Sequence, residues 1–238
     1  MNREQLQKDF FPAEIMLQLV KQEIPLSDKI KLINSYLDKV RDSYDAEVLK
    51  IKQHNQLAHI YWMSEHYEEA IAHFEIVVEN MEAEDYPSLY SLALNLLIRC
   101  NRLLSNYQEA EKYATLAFAS FDTFHPFKKL NILTDYADLI ADSGKIFDEN
   151  YISIIQATID ELGFPEKLDD PIETIRSMSK RNQVWNRKLS DWTIKYRESD
   201  LDERKRELVQ YIDSCEIGWY KDYALNTLEI LQNKKAQG

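Results

Sequence analysis

Between Ser27 and Arg41 the apolar residues Ile30, Ile33, Tyr36, Leu37 and Val40 recur every three to four positions, and the same period governs two longer segments, Leu57–Glu79 and Leu97–Ala119. That spacing gathers apolar side chains on one side of an α-helix, whereas a half-buried strand alternates every second residue. Each longer segment is interrupted once by a short turn, Ser64-Glu65-His66 in the first and Leu104-Ser105-Asn106 in the second. Each therefore predicts a pair of helices joined tightly. Upstream, the pattern predicts helices over Pro12–Gln22 and Ser27–Arg41, the second capped by the Ser27 hydroxyl. Downstream, Asp169-Asp170-Pro171 opens one long helix to about Arg197, with Ile172, Ile175, Met178, Trp185, Leu189, Trp192 and Tyr196 on one stripe. Asp200 with Glu203 marks another start, and two last helices are expected over Leu201–Ser214 and Ile217–Gln232.

Composition sharpens this to an all-α chain. Only four glycines occur in 238 residues, too few for the turns of a hairpin-rich β fold or for a phosphate-cradling loop. All six prolines fall between the periodic runs, where a missing N–H costs little at a helix start.

The two longer segments also align with each other at an offset of 40 residues. Tyr67 and Tyr107 open their second helices, Ala70 and Ala110 follow three residues later, and Phe74 or Ala114 and Val77 or Ala117 continue the same face. Small alanines let two helices approach closely while the aromatic rings fill the gaps. Ser105 with Gln108 fits a capping box before the second of these helices.

At these residues the sequence resembles the tetratricopeptide-repeat family. The first copy carries Leu57-Ala58 as the small pair, Tyr61 one turn on, then Tyr67, Ala70, Phe74 and Val77. The second keeps Leu97, Tyr107, Ala110 and Ala117, but has Ile98 for the small residue, Asn101 for the first-helix aromatic and Ala114 for the second-helix aromatic. A degenerate third copy runs from Leu133 to Gly163, with Tyr136-Ala137, Ile140 and a turn at Gly144, and with Asp148, Glu149 and Asn150 where the alanine should fall. The 40-residue offset exceeds the family's usual period of about 34. The resemblance implies an all-α, right-handed α-α superhelical solenoid of helix hairpins, expected as a single domain over 1–238. Atypical capping helices would occupy 1–44, the repeats 45–163, and a long basic, aromatic helix with the C-terminal helices 164–238.

The resemblance further implies that the first helix of each hairpin lines a concave face that holds a protein segment or peptide. The non-core positions there are Asn55, His59 and Trp62 in the first repeat and Asn95, Arg99 and Arg102 in the second. Asparagine can hold a peptide backbone and arginine can grip a carboxylate, so an acidic or C-terminal tail would suit. Lys52 and Asn55 match the family's carboxylate-clamp pattern only in part, and His59 stands where an asparagine often does. The expectation is a non-catalytic scaffold or adaptor. A peptide- or ligand-sensing regulator is the alternative, and a helical enzyme of unrecognised type the third.

Charge and reactive residues bound the rest. A net charge of -12 disfavours nucleic acid and anionic membrane as partners of the whole surface. Against that background, Arg176–Arg206 carries ten Lys or Arg and five acids. Trp185, Leu189, Trp192 and Tyr196 in this stretch are expected to pack internally, capping the array, or to join two copies in a homodimer. Cys100 and Cys215 sit inside apolar patterns, as buried thiols of a reducing compartment do. No run approaches a membrane span, and the first twenty residues lack the apolar core of a secretory leader, so a cytoplasmic protein is expected. His59, His66 and His73 recur every seven residues but fall on a helix, a turn and a second helix, which does not converge them. Glu68-Glu69 and Asp169-Asp170 read as solvated helix starts. No glycine-rich phosphate loop, nucleophile elbow or zinc-protease helix occurs, and no cofactor or metal is expected.

Overall fold

Twelve α-helices and a few single 3-10 turns make up all the regular structure among the described residues of the computed structural model, which are 1–196 and 200–235. The chain divides into two compact units, Met1–Lys145 and Ile146–Gly238. The division falls inside the degenerate third copy, after its first helix.

The first unit contains α1 (Arg3–Gln7), α2 (Ala13–Leu19), α3 (Leu26–Val40), α4 (Ala46–Met63), α5 (Tyr67–Glu79), α6 (Pro87–Leu103), α7 (Tyr107–Ala119) and α8 (Pro126–Ser143). The carboxylate of Asp45 accepts from the backbone N–H groups of Glu47 and Val48 and so starts α4, while proline opens α6 and α8. The expected caps at Ser27 and Ser105 are corrected. Ser27 lies inside α3, whose preceding residue is Pro25, with no side-chain cap. Ser105 is the left-handed residue of the turn, at φ 62°, and cannot aim its hydroxyl at the following helix as an N-cap does.

That turn is the same in both hairpins. Glu65 also has φ 62°, and the backbone N–H of His66 donates to Tyr61 O at 3.0 Å as that of Asn106 donates to Asn101 O at 2.8 Å. These bonds satisfy carbonyls that a helix end would otherwise leave open. α5 and α7 then begin at Tyr67 and Tyr107 and run 13 residues each, so the repeat in sequence is a repeat in structure. α4 packs on α5, α5 on α6, α6 on α7, and both α6 and α7 on α8. Ala58, Ala70, Phe74, Val77, Leu97, Ile98, Ala110, Ala114 and Ala117 are all buried at these contacts, as the alignment of the two copies requires. A separate cluster of Phe10, Leu19, Ile33, Leu37, Leu57 and Ile60 ties α2 and α3 to α4. The sequence pattern does not reveal α1, a five-residue helix capped by Asn2.

The second unit contains α9 (Ile152–Leu162), α10 (Pro171–Lys195), α11 (Leu201–Ser214) and α12 (Gly218–Lys235). Asp170 caps α10 through Glu173 N, and Asp200 caps α11 through Asp202 N and Glu203 N. The expected helix end at Arg197 lies outside the described residues, as do Arg197 and Glu198 of the basic segment. α10 packs against α9 and α11, and α12 against both of those helices. Gly163, at φ 64°, accepts from Gly218 N at 2.9 Å; a Cβ on Gly163 would stand 2.9 Å from Gly218 Cα, so this position needs glycine.

Candidate functional site

The six polar positions expected on the first-helix face divide into two groups. On α6 all three are engaged by α8. Arg99 donates from Nε to Asp135 Oδ1 at 2.9 Å and from Nη2 to Oδ2 at 3.1 Å, a bidentate pair. Asn95 Nδ2 donates to the same carboxylate and, at 3.4 Å, to Asn131 O. Arg102 Nη1 donates to Asp142 Oδ2 at 2.6 Å, with Asp138 at 3.7 Å. Residues 95, 99 and 102 share one face of α6, and 135, 138 and 142 share one face of α8, so helical periodicity aligns the two stripes. Asp135 is 1% exposed, and burial pushes its carboxyl upward against the opposing pull of Arg99, Arg102 and Asn95. These arginines hold two helices together, and their charge is already matched.

On α4 the equivalent positions make no such bonds to a following helix. Trp62 joins Arg99 in a groove of about 450 Å³ whose other walls are Met63, Glu65, Tyr67 and Leu103. Met63 and Leu103 occupy the same place in the two hairpins, and both are nearly half exposed, at 47% and 46%. His59 stands edge-on to the Phe74 ring at 5.3 Å, and burial with the nearby Lys128 ammonium pushes its imidazole down to about 4. It is neutral at physiological pH and carries no ion pair. Asn55 lines a different pocket with Lys52 and the Lys8–Met16 segment, and its Oδ1 is buried with no hydrogen-bond partner.

The histidine series does not converge. His66 is exposed on the turn beside Glu69, whereas His73 Nδ1 lies 2.7 Å from His54 Nδ1 with Tyr61 stacked on its ring. Burial lowers both of these imidazoles, and such a contact requires at least one nitrogen to be unprotonated. Among the described residues no group of three His, Cys, Asp or Glu could hold a metal ion. The Cys100 thiol is fully buried and pushed up to about 12, which removes it as a nucleophile near neutral pH. No described helix is long and apolar enough to cross a membrane.

In the second unit the aromatic stripe of α10 serves the core. Trp185 and Tyr196 are buried, and Leu189 and Trp192 half-buried. Trp185 meets the Tyr211 ring edge-on at 5.6 Å, and Tyr211 OH donates to Trp185 O at 3.2 Å. Lys188 Nζ sits 3.7 Å from the Trp185 ring centre, a cation–π contact that occupies part of the basic surface. Arg181 pairs with Glu166 at 2.6 Å and with Glu216.

Three features were missed from sequence. The Asp135, Asp138 and Asp142 stripe was readable as acids three and four apart on one helix. Met63 and Leu103 were readable as apolar residues outside the core pattern. The pocket formed by Lys8–Met16 left no local signal, because it depends on that segment folding back onto α4. Comparison with known proteins adds no relative: no family model, no curated protein and no solved structure matches the chain.

Proposed function

We propose that the chain is a non-catalytic, cytoplasmic interaction scaffold of tetratricopeptide-like hairpins that seats a protein segment across the ends of α4 and α6. The carrying observation is the groove around Trp62, where Met63 and Leu103 stay in water at matching repeat positions. Exposed apolar surface gains roughly 25 cal/mol per Å² when a partner covers it, and a tryptophan with flanking aliphatics makes a strong anchor. Since Arg99 and Arg102 already answer the acids of α8, the reading favours an apolar partner side chain over an acidic tail.

A photo-crosslinking residue at Met63 or Leu103, introduced into the full chain in its native host, should capture one common polypeptide. The same residue at Thr115 or Leu116, exposed on α7, should not. Replacing Trp62 and Leu103 together by alanine should weaken that partner's binding by about tenfold or more. Capture from α7 alone would overturn the reading.

A further inference from the structure

The pocket that contains Asn55 has a different chemistry from the groove at Trp62. It encloses about 420 Å³, within the range of small-molecule sites, between the Lys8–Met16 segment, α4 and the start of α6. Lys52 is 8% exposed; its ammonium donates to Lys8 O at 2.6 Å and sits 5.6 Å from the Phe10 ring centre, but it has no counter-ion and two of its three donors make no hydrogen bond. No described acid lies within ion-pair distance of it; Asp9, also lining the pocket, acts on it only from further away. Taking an ammonium out of water without a counter-ion is costly, and burial pushes the amine down to about 8. Asn55 Oδ1 is a second unmet group, an acceptor with no donor. Phe11, Met16 and Leu89 supply an apolar wall.

One buried cation, one carboxylate and one free acceptor beside an apolar wall do not suit a bare anion, which Asp9 would repel, or a bare cation, which Lys52 would repel. The geometry points to a site for a free α-amino acid with an apolar side chain: its carboxylate on Lys52, its ammonium toward Asp9 and Asn55 Oδ1, and its side chain on Phe11, Met16 and Leu89. A peptide carries its terminal ammonium and terminal carboxylate on different residues and does not offer this combination. The site is independent of partner binding at Trp62, which lies about two to three turns further along α4.

Calorimetric titration of the full chain with L-phenylalanine tests the assignment, with N-acetyl-L-phenylalanine, lacking the ammonium, and L-phenylalaninamide, lacking the carboxylate, as controls. L-phenylalanine should bind saturably and each blocked form about tenfold or more weakly. Lys52→Met should lower L-phenylalanine affinity by a similar factor, while Trp62→Ala leaves it unchanged. Because Lys52 is buried, the exposed Asp9→Asn gives a second readout: the preference for L-phenylalanine over its N-acetyl form should shrink. Equal affinity for the free and blocked forms, or no saturable binding of phenylalanine, leucine or methionine, would overturn the assignment.

Discussion

The hairpin α4–α5 and the hairpin α6–α7 share a turn geometry, a second-helix length and a buried alanine, Ala70 or Ala110, yet their first helices use their polar positions differently. Position by position, Asn55 corresponds to Asn95, His59 to Arg99 and Trp62 to Arg102. In the second hairpin all three are bound to Asp135 or Asp142 of α8. In the first, Asn55 keeps an unmatched oxygen, His59 is neutral, and Trp62 walls an open groove. A repeated backbone thus carries one helix face whose polar groups bond the next helix and one whose polar groups do not. Which is which depends on the helix that follows each hairpin, and only α8 brings the acids.

The largest expected effect tests that division. Asp135→Ala leaves Arg99 and Asn95 without their shared acceptor in a site that is 1% exposed, and should cost about 3 kcal/mol in a urea unfolding titration. The value lies at the low end for a broken buried pair because Arg99 is one-third exposed and can regain water. Asn55→Ala, at the matching place in the first hairpin, removes no bond made by its Oδ1 and should cost under about 1 kcal/mol. Comparable losses at the two positions would abolish the distinction between the bonded face and the unbonded one.

A smaller effect separates His59 from Arg99 by pH. The folded chain holds the His59 imidazole down at about 4, against 6.5 in a solvated state. Between those values the unfolded chain binds a proton that the folded chain refuses, so stability falls as pH drops through this window. The loss due to His59 should reach about 2 kcal/mol by pH 5. His54 and His73 are lowered too and act in the same direction, so the wild-type slope contains all three. His59→Gln should flatten the dependence of the urea midpoint on pH between about 7 and 5 by the His59 share alone. An unchanged slope would mean that the imidazole is solvated, and that the first-hairpin face is more open than its contact with Phe74 implies.

Much of the fold was legible because it rests on local chemistry. Helical period and the Asp-Pro start fixed α3 and α10 to α12 within a few residues, and the Tyr-x-x-Ala core fixed α5 and α7, since each depends on neighbours three or four positions away; α4, α6 and α8 begin well ahead of Leu57, Leu97 and Leu133, where the aligned copies start. The caps at Ser27 and Ser105 were misread for the same local reason: a serine near a helix start is a candidate, but the backbone angle decides, and Ser105 sits at φ 62°. The site was less legible. Asn95, Arg99 and Arg102 looked like ligand-gripping residues because their partners are 36 to 40 positions away, beyond any local pattern. Met63 and Leu103 were passed over because single exposed apolar residues are ordinary; their meaning comes from standing side by side.

The smallest expected effect probes what the hairpins share. Glu65 and Ser105 both occupy the left-handed region at φ 62°, a conformation that costs an L-residue about 1–2 kcal/mol and glycine almost nothing. Part of the gain on replacement is offset because glycine has more unfolded conformations to lose. Glu65→Gly and Ser105→Gly should therefore each stabilise by about 0.5–1 kcal/mol, read from urea midpoints at constant slope. Because the two turns have the same angle and the same backbone bonds, the gains should agree within a few tenths of a kcal/mol and add in the double variant. A gain confined to one site would place the strain in that turn's side chains, since a backbone shared by both copies would release it equally.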